Sequence, residues 1–385
     1  MSTRARRVSM KSATIIVGGK RSVWHILLML LLCVIVTLTV SCNRQPEPIR
    51  IGAIISLTGS GGYLSDLRDA MLMAVEEING NGGMNGHPIE LFIEDSKSDP
   101  EEGKKAMAQL EAQHHPVLYL STLSPVSMAL APMAERMEVP LIGLVTSAQD
   151  FTTDKKWVFR YYPMASDEVT PVISILDKQG SKRLGIFYQS GPYGQSVTQL
   201  LSAACKAQAG WSVTEQHFTE DDFNIQDKIA KLGEVDGLYV VGQVNFISKV
   251  IKQVRQAGFN RQIITSSGGA WPGFLTMAEF EGIRLAAPLL YNKNYPYAQN
   301  LRDKYTARFN RPLDHQSAVG YDILFLLRGL LQNVPVSRAN IKKVLEQGYH
   351  FPSAMGDILV PRGSHEINFH LYPARIKNGA IIFGD

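Results

Sequence analysis

From residue 49 onward the chain alternates short apolar runs with longer segments whose apolar residues recur every three or four positions. IRIGAIIS reads as a strand, and LRDAMLMAVEEIN sets Leu67, Met71, Ala74 or Val75, and Ile78 on one helical face. NGNGGMNG then breaks the chain, and PIELFIED alternates as a second strand. DPEEGKKAMAQLEAQ opens a helix with proline in its first turn and acids beside it, where the helix dipole favours negative charge. The strand VLYLST, a helix near SMALAPMAERM and the strand VPLIGLVT complete this first series.

A second series follows WVFRYYPMASDE. It predicts a helix over 167–179, the strand RLGIFYQS, a helix over 194–209, the strand WSVTEQHF, a helix near 224–232 and the strand GLYVVGQ. A helix over 246–257, the strand RQIITSS, a short helix near 272–280 and the strand GIRLAAPLL come next. Helices over 296–309, 316–333 and 338–347 precede terminal strands within EINFHLYPARIKNGAIIFG. Strand and helix in alternation build βαβ units and parallel sheets, so the two series predict an α/β chain of two doubly wound lobes. LVPRGSH, residues 359–365, has the look of an engineered protease-site scar, but strand-like sequence continues after it and it reads as a surface turn.

The N-terminus breaks this pattern. A basic stretch leads into WHILLMLLLCVIVTLTVSC, whose apolar run, Ile26 to Val40, has the length of a signal peptide and is short for a membrane span. Thr39-Val40-Ser41-Cys42 resembles a bacterial lipobox, in which Cys42 is lipidated and becomes the mature N-terminus; Thr39 departs from the usual aliphatic residue. The alternative is an uncleaved membrane anchor, and both place the rest of the chain outside the cytoplasm. NRQPEP then forms a tether. The net charge of +4 would suggest a polyanionic partner were it not located here: Arg4, Arg6, Arg7, Lys11, Lys20 and Arg21 face no acid before residue 42, which leaves −2 for the remainder. Nucleic acid is thereby disfavoured as a partner.

Candidate chemistry is sparse. SLTGSGGYLSD, residues 56–66, packs glycines between a strand and a helix, as phosphate-binding loops do. The third position of a G-x-G-x-x-G fingerprint is Leu64, Glu94 and Asp95 come too late for its ribose-binding acid, and no Gly-Lys-Ser/Thr follows. The loop is therefore a ligand-permissive backbone at a strand's carboxyl end, or a plain turn. Cys205 is the one cysteine of the folded part, so no intramolecular disulfide is expected there; it reads as a small buried helix residue. His114-His115 is a poor metal pair because adjacent helical positions face different ways. No GxSxG or HExxH motif occurs, and neither cofactor nor metal is expected.

The run SLTG, AVEEINGNGGMNGHPIELFIEDSKSDP, SPVSMALAPMAERMEVPLI, VFRYYP, GPYGQS, VIKQVRQAGF and AVGYD resembles, in order and spacing, the periplasmic solute-binding proteins of the leucine/isoleucine/valine-binding family. The similarity spans nearly the whole chain from residue 49. It implies two α/β lobes joined by three hinge crossings, near 161–165, near 287–292 and near 355, with the ligand cleft between them. The expected domains are 1–41 as signal peptide, 42–48 as lipid-anchored tether, 49–163 plus 290–355 as lobe 1, and 164–289 plus 356–385 as lobe 2.

By the same resemblance the ligand carboxylate falls to Ser127 and to Val145, Thr146 and Ser147. Independently of family, a helix N-terminus offers unpaired N–H groups to an anion, although Ser127 would also serve as a simple N-cap. Tyr63 matches an aromatic that covers the ligand, Tyr193 a second-lobe tyrosine that reaches the cleft, and Gln243 a ligand-facing position; surface-turn and packing roles are the alternatives for the tyrosines. The acid that pairs with a ligand ammonium in such proteins is absent from SSGGAWPG, residues 266–273. Either Asp167, Glu168 or Asp222 replaces it, or the ligand has no α-ammonium, since a buried unpaired ammonium is unfavourable by several kcal/mol. Trp271 would stack on an apolar ligand or serve packing. The implied protein is a monomeric, non-enzymatic, membrane-anchored lipoprotein of the periplasm or cell surface, which passes a small carboxylate-bearing ligand to ABC permease subunits. Branched-chain or other amino acids, related amides and aromatic acids are the candidates. A sensor acting through a separate membrane partner and a cell-envelope hydrolase are the rival readings.

Overall fold

The computed structural model describes residues 24, 25, 29, 30, 46–219 and 221–384. Apart from residues 24, 25, 29 and 30, the expected signal peptide lies outside them, as does Cys42, and no helix among the described residues is long and apolar enough to cross a membrane.

Two sheets organise the chain from Pro48 onward. The first contains β1 (Ile49–Ile55), β2 (Ile89–Asp95), β3 (Leu118–Thr122), β4 (Leu141–Leu144) and β5 (Val158–Arg160), all parallel, in the order β2-β1-β3-β4-β5. The second contains β6 (Arg183–Gln189), β7 (Ser212–Phe218), β8 (Gly237–Val241), β9 (Gln262–Thr265) and β10 (Arg284–Ala287) in parallel. β11 (Tyr349–Ser353) and β12 (Gly356–Val360) form a separate hairpin. β13 (Tyr372–Lys377) and β14 (Ala380–Phe383) extend the second sheet antiparallel beyond β10, giving β14-β13-β10-β9-β8-β6-β7.

Both sheets are covered on both faces, which is why inner strands such as β3, β4 and β8 are buried throughout. In β1, Ile51, Ala53 and Ile55 enter the core shared with the Ser65–Gly80 and His315–Leu330 helices, while Ile54 enters the core under the Pro100–His114 and Ser124–Met137 helices. The second sheet is covered by the Ile225–Leu232 and Val244–Gln256 helices on one face and by Val169–Gln179 and Pro192–Lys206 on the other.

The chain passes from the first lobe's core to the second's between Tyr162 and Ala165, and returns between Ala287 and Leu290. The third crossing lies after Leu371, not near 355. Ile358, Val360, Ile367 and Phe369 all bury in the first lobe's core, and only β13 and β14 join the second sheet. Residues 366–371 are correspondingly not a strand: Glu366 makes one bridge to Arg160, with Arg160 N–H donating to the His365 carbonyl (2.9 Å) and Ile367 N–H to that of Arg160 (2.8 Å). The helix expected near 272–280 is instead two 3-10 turns, Pro272–Phe274 and Ala278–Phe280, preceded by a third, Ser267–Ala270. Pro272 and Gly273 weaken a continuous ladder there. LVPRGSH is only partly a turn: Arg362 and Gly363 are exposed, whereas His365 stacks on Phe159 at 4.3 Å.

Candidate functional site

Open parallel sheets bind ligands beyond the carboxyl ends of their strands, where the order reverses. Here the reversals fall between β1 and β3 and between β6 and β8. The ends of these strands face one cavity of about 420 Å³, open mouth included. The first lobe supplies Tyr63 after β1, Leu123, Ser124 and Pro125 after β3, and Val145 and Ser147 after β4. Tyr193 after β6, Gly242 and Gln243 after β8, and Ser267 and Gly268 after β9 come from the second. Tyr162 of the first crossing and Gln316 close the ring. None of these residues is charged. The N-termini of the Ser124–Met137, Pro192–Lys206, Val244–Gln256 and His315–Leu330 helices each contribute a wall residue, so the surroundings favour an anion through aligned N–H groups without a cation.

The wall after β3 and β4 is strained. Leu123 and Val145, neither a glycine, sit at φ 65° and 50°. For a β-branched residue such a φ is a true outlier, and strain of this kind costs about 1–3 kcal/mol and collects at ligand sites. A hydroxyl lattice holds it. Ser124 Oγ accepts the N–H groups of Ser147 and Ala148, each at 3.1 Å. Ser127 lies a turn deeper and fully buried: Ser121 donates to it at 2.8 Å, and it pairs with Thr146 at 2.8 Å, whose hydroxyl reaches the Leu144 carbonyl at 3.0 Å. The helix begins at Ser124 rather than near Ser127, so the cavity-facing serine is Ser124, and Ser127 and Thr146 support the wall from behind.

Arg160 anchors the same wall. Its side chain is 0% exposed; Nε donates to Glu366 at 2.7 Å, Nη1 to the Thr146 carbonyl at 3.0 Å and Nη2 to the Gln149 carbonyl at 3.3 Å. Burial pushes its pKa down, and Glu366 opposes that shift.

The glycine loop is tied internally. Asp95 accepts the N–H groups of Leu57 (2.9 Å) and Thr58 (3.3 Å) and the Thr58 hydroxyl (2.6 Å), and Ser98 Oγ accepts that of Gly61 (2.9 Å). A Cβ on Gly61 would meet Ser56 Cβ at 2.7 Å and Leu123 Cδ1 at 2.9 Å, so close packing accounts for this glycine. The loop also reaches the other lobe: Asn245 donates to the Ser60 carbonyl at 3.2 Å, and Tyr63 packs against the cores of both lobes. Ser196 accepts the Gln149 N–H at 3.3 Å across the same gap.

Of the three acids named as replacements, Glu168 alone bonds to wall residues, from behind Ser267 and Tyr193. It is 1% exposed and accepts the Ser267 N–H at 3.1 Å to both oxygens, the Ser267 hydroxyl at 2.7 Å and the Tyr193 hydroxyl at 3.2 Å. Burial pushes its pKa up to about 7 against these bonds. Asp167 instead takes the Met164 N–H and the Asn368 amide, both at 2.8 Å, and Asp222 pairs with Lys228 at the surface. Trp271 is structural, packed edge-on against Phe274 at 5.2 Å. His114 stacks on Phe92 at 3.7 Å while His115 is a left-handed helix cap, and no group of three or more metal-ligating side chains occurs among the described residues.

The crossings meet at His315, which burial drives down to a pKa of about 3 and so keeps neutral. Its N–H donates to Tyr291 Oη at 3.1 Å; Tyr291 in turn faces Nδ1 at 3.1 Å, and Nε2 faces Tyr162 Oη at 3.0 Å. The first and second crossings are thereby bonded to one imidazole. Sequence reasoning singled out five of the wall residues, Tyr63, Val145, Ser147, Tyr193 and Gln243, and missed among others Ser124, Tyr162, Ser267 and Gln316. Ser124-Pro125 carried a signal, serine before proline at a helix start; Gln316 carried none.

The sequence profile of the family described as "Periplasmic binding protein" matches residues 48–380. A chemotactic signal transduction system substrate-binding protein, BasB of Halobacterium salinarum, is 25% identical over 234 residues, 57% of this chain and 56% of that protein. The Leu/Ile/Val-binding protein homolog 7 of Brucella abortus is 24% identical over 237 residues, 58% of this chain and 59% of its own length. The chain thus spans less than two thirds of these relatives. A solute-binding protein of an ABC transporter from Rhodopseudomonas palustris, solved with 3,4-dihydroxybenzoic acid, shares the fold at a TM-score of 0.78 and 15% identity, over 88% of this chain and 96% of that one.

Proposed function

The chain belongs to the periplasmic binding protein family, and from that premise we propose that it captures a small carboxylate-bearing ligand between its lobes and delivers it to an ABC permease as a lipoprotein anchored through Cys42. The observation that carries this reading is the uncharged cavity into which four helix N-termini open, at the carboxyl ends of two facing sheets. Ser147, which lines the cavity and whose N–H is held by Ser124 Oγ, receives the carboxylate through its hydroxyl together with the Ser124 end of the Ser124–Met137 helix. Tyr63, Tyr162 and Tyr193 enclose the ligand body. The ligand shifts an open-to-closed equilibrium by binding the closed form better, with Asn245–Ser60 and Ser196–Gln149 as closing contacts. The protein acts without catalysis.

Branched-chain amino acids, suggested by the Brucella relative, and aromatic acids, suggested by the dihydroxybenzoate complex, head the ligand panel. Titration calorimetry of the purified chain against that panel tests the proposal: saturable binding of a carboxylate, weakened by Ser147→Ala, is expected. Absence of binding across the panel overturns it. BasB, by name a substrate-binding protein of a chemotactic signal transduction system, supports a second reading as a sensor. Uptake of the labelled ligand that stops when the permease is deleted supports transport; uptake independent of this chain supports the sensor.

A further inference from the structure

The space between the lobes does not end at the cavity described above, and this inference rests on that cavity's being the ligand site. Along the carboxyl ends of the second sheet, in the order β8-β6-β7, it is followed by a groove and then by a second pocket. The groove shares Pro125, Tyr193 and Gln243 with the cavity, and Gln189 and Ser190 with the pocket, so the three adjoin. The cavity has about 420 Å³ and the pocket about 940 Å³, each with its open mouth included. From the end of β8 to the end of β7 is two strand spacings, about 10 Å, so a compact ligand held by Ser124 and Ser147 leaves the larger space empty.

The pocket differs from the cavity in chemistry. Its apolar part is three phenylalanines, Phe218 at the end of β7, Phe223 in the loop after it and Phe246 in the first turn of the Val244–Gln256 helix, with ring centres 5.0, 5.6 and 6.0 Å apart. One turn further along that helix, Lys249 holds its ammonium 3.5 Å from the centre of the Phe223 ring. Lys249 is the one charged side chain among the described residues of this wall, and no acid among the described residues pairs with it. A ring face holds an ammonium in place without cancelling its charge. The neighbouring Lys228, 5.5 Å over Phe218, is by contrast neutralised by Asp222. Asn245, on the same wall, donates to the Ser60 carbonyl of the first lobe at 3.2 Å, so lobe closure bears on the pocket as well as on the cavity.

We propose that the ligand is an elongated dicarboxylate: one carboxylate at Ser124 and Ser147, an apolar or aromatic body along the groove and against the three phenylalanine rings, and a second acidic group paired with Lys249. The cavity supplies helix N-termini for the first anion and no cation, whereas the pocket supplies a cation without an acid for the second. Length is then the selected quantity. A ligand with a single carboxylate satisfies the first lobe alone, and a dianion too short to cross from β8 to β7 brings its second charge into an uncharged cavity, where burial without a partner opposes binding.

The test is calorimetry on the full-length chain purified in detergent, with butanoate, 4-phenylbutanoate and 4-(4-carboxyphenyl)butanoate, which share one carboxylate end and add first the aromatic body and then the distal acid. The dicarboxylate is expected to bind one to one and at least tenfold more tightly than 4-phenylbutanoate. Lys249→Gln should erase that difference and Lys249→Arg should keep it, while Phe223→Ala should weaken both aryl acids. Ser147→Ala should weaken the dicarboxylate too, because one molecule occupies both ends. Equal binding of the two aryl acids, a preference that survives Lys249→Gln, or dicarboxylate binding indifferent to Ser147→Ala overturns the inference. So does failure of the dicarboxylate to bind where a compact carboxylate of the wider panel binds, which leaves the cleft reading intact. If no carboxylate of either set binds, the cleft reading itself falls.

Discussion

Replacing Arg160 by methionine isolates how the strained wall after β4 is held. The substitution keeps an unbranched apolar stem in a fully buried slot and deletes three bonds: the 2.7 Å ion pair to Glu366 and the contacts to the Thr146 and Gln149 carbonyls. Removing one partner of a buried pair typically costs about 3–5 kcal/mol, because the other is left as an uncompensated charge. Glu366 is 23% exposed at its side chain, so water recovers part of that charge and the lower end, about 3 kcal/mol, applies. For the Pro48–Asp385 body, an unfolding entropy of about 2.1 cal/mol/K per residue converts this to a melting-point drop of roughly 4 °C. The decisive comparison is the double variant Arg160→Met/Glu366→Gln. It removes the stranded charge while Thr152 can still donate to position 366, so most of the loss should return. Thermal melts of the single and double variants measure this. A double variant as unstable as the single, or a single variant within 1 °C of the parent, would refute the argument that the guanidinium is needed for charge compensation.

Three further outcomes follow from the same lattice and packing. Ser124→Ala strips the acceptor from two buried N–H groups, which should cost about 1–3 kcal/mol and weaken ligand binding, whereas Ser127→Ala should lower stability without changing affinity. Glu168 has its folded pKa raised from about 4.5 to about 7, so the stability its protonated form supplies is complete below pH 4.5 and lost as pH rises through 7. Denaturant melts of Glu168→Gln and the parent should therefore diverge by about 3 kcal/mol in the variant's favour between pH 4.5 and 8, and parallel curves would contradict the assignment. His315 works in the other direction in both proteins, losing stability as pH falls from 6.5 toward 3, and cancels in that difference. Gly320→Ala should destabilise by about 1–3 kcal/mol even though alanine is the better helix former by about 1 kcal/mol, since its Cβ would lie 2.8 Å from Met71 Cγ and 3.1 Å from the Leu67 carbonyl.

The lobes were legible because each strand and helix announces itself over a few residues, by periodicity and by where glycine and proline interrupt it. Which lobe a segment joins is a different kind of fact. Ile358, Val360, Ile367 and Phe369 look like any apolar strand residues, and only their burial beside the first sheet moves the third crossing to Leu371. The same limit applies at the site. Ser127 and Ser124 are one helical turn apart, and the spacing of SPVSMALAP does not state at which of them the backbone begins to coil; the structure starts it at Ser124, turning Ser127 inward. The absent acid in SSGGAWPG was readable, and Glu168 was one of three acids offered in its place, but its capture by Ser267 requires the Ala165–Glu168 turn and the β9 loop to meet, residues 99 apart in sequence. Gln316 was invisible because its place on the wall follows from how the start of its helix meets the cavity, which no local pattern states.

The antiparallel tail of the second sheet also has a consequence for how the protein is made. β10 ends at Ala287, yet its partner on that side, β13, begins only at Tyr372, after the chain has gone back to finish the other lobe. At roughly 5–20 residues per second a ribosome takes about 4–17 s to deliver it, and through that interval the flank of β10 presents bare N–H and C=O groups, a template for pairing with any other nascent chain. The last strands are thus a closing seam: until they arrive neither the sheet edge nor the crossing to it exists, and a holdase that recognises extended apolar backbone has its longest opportunity there.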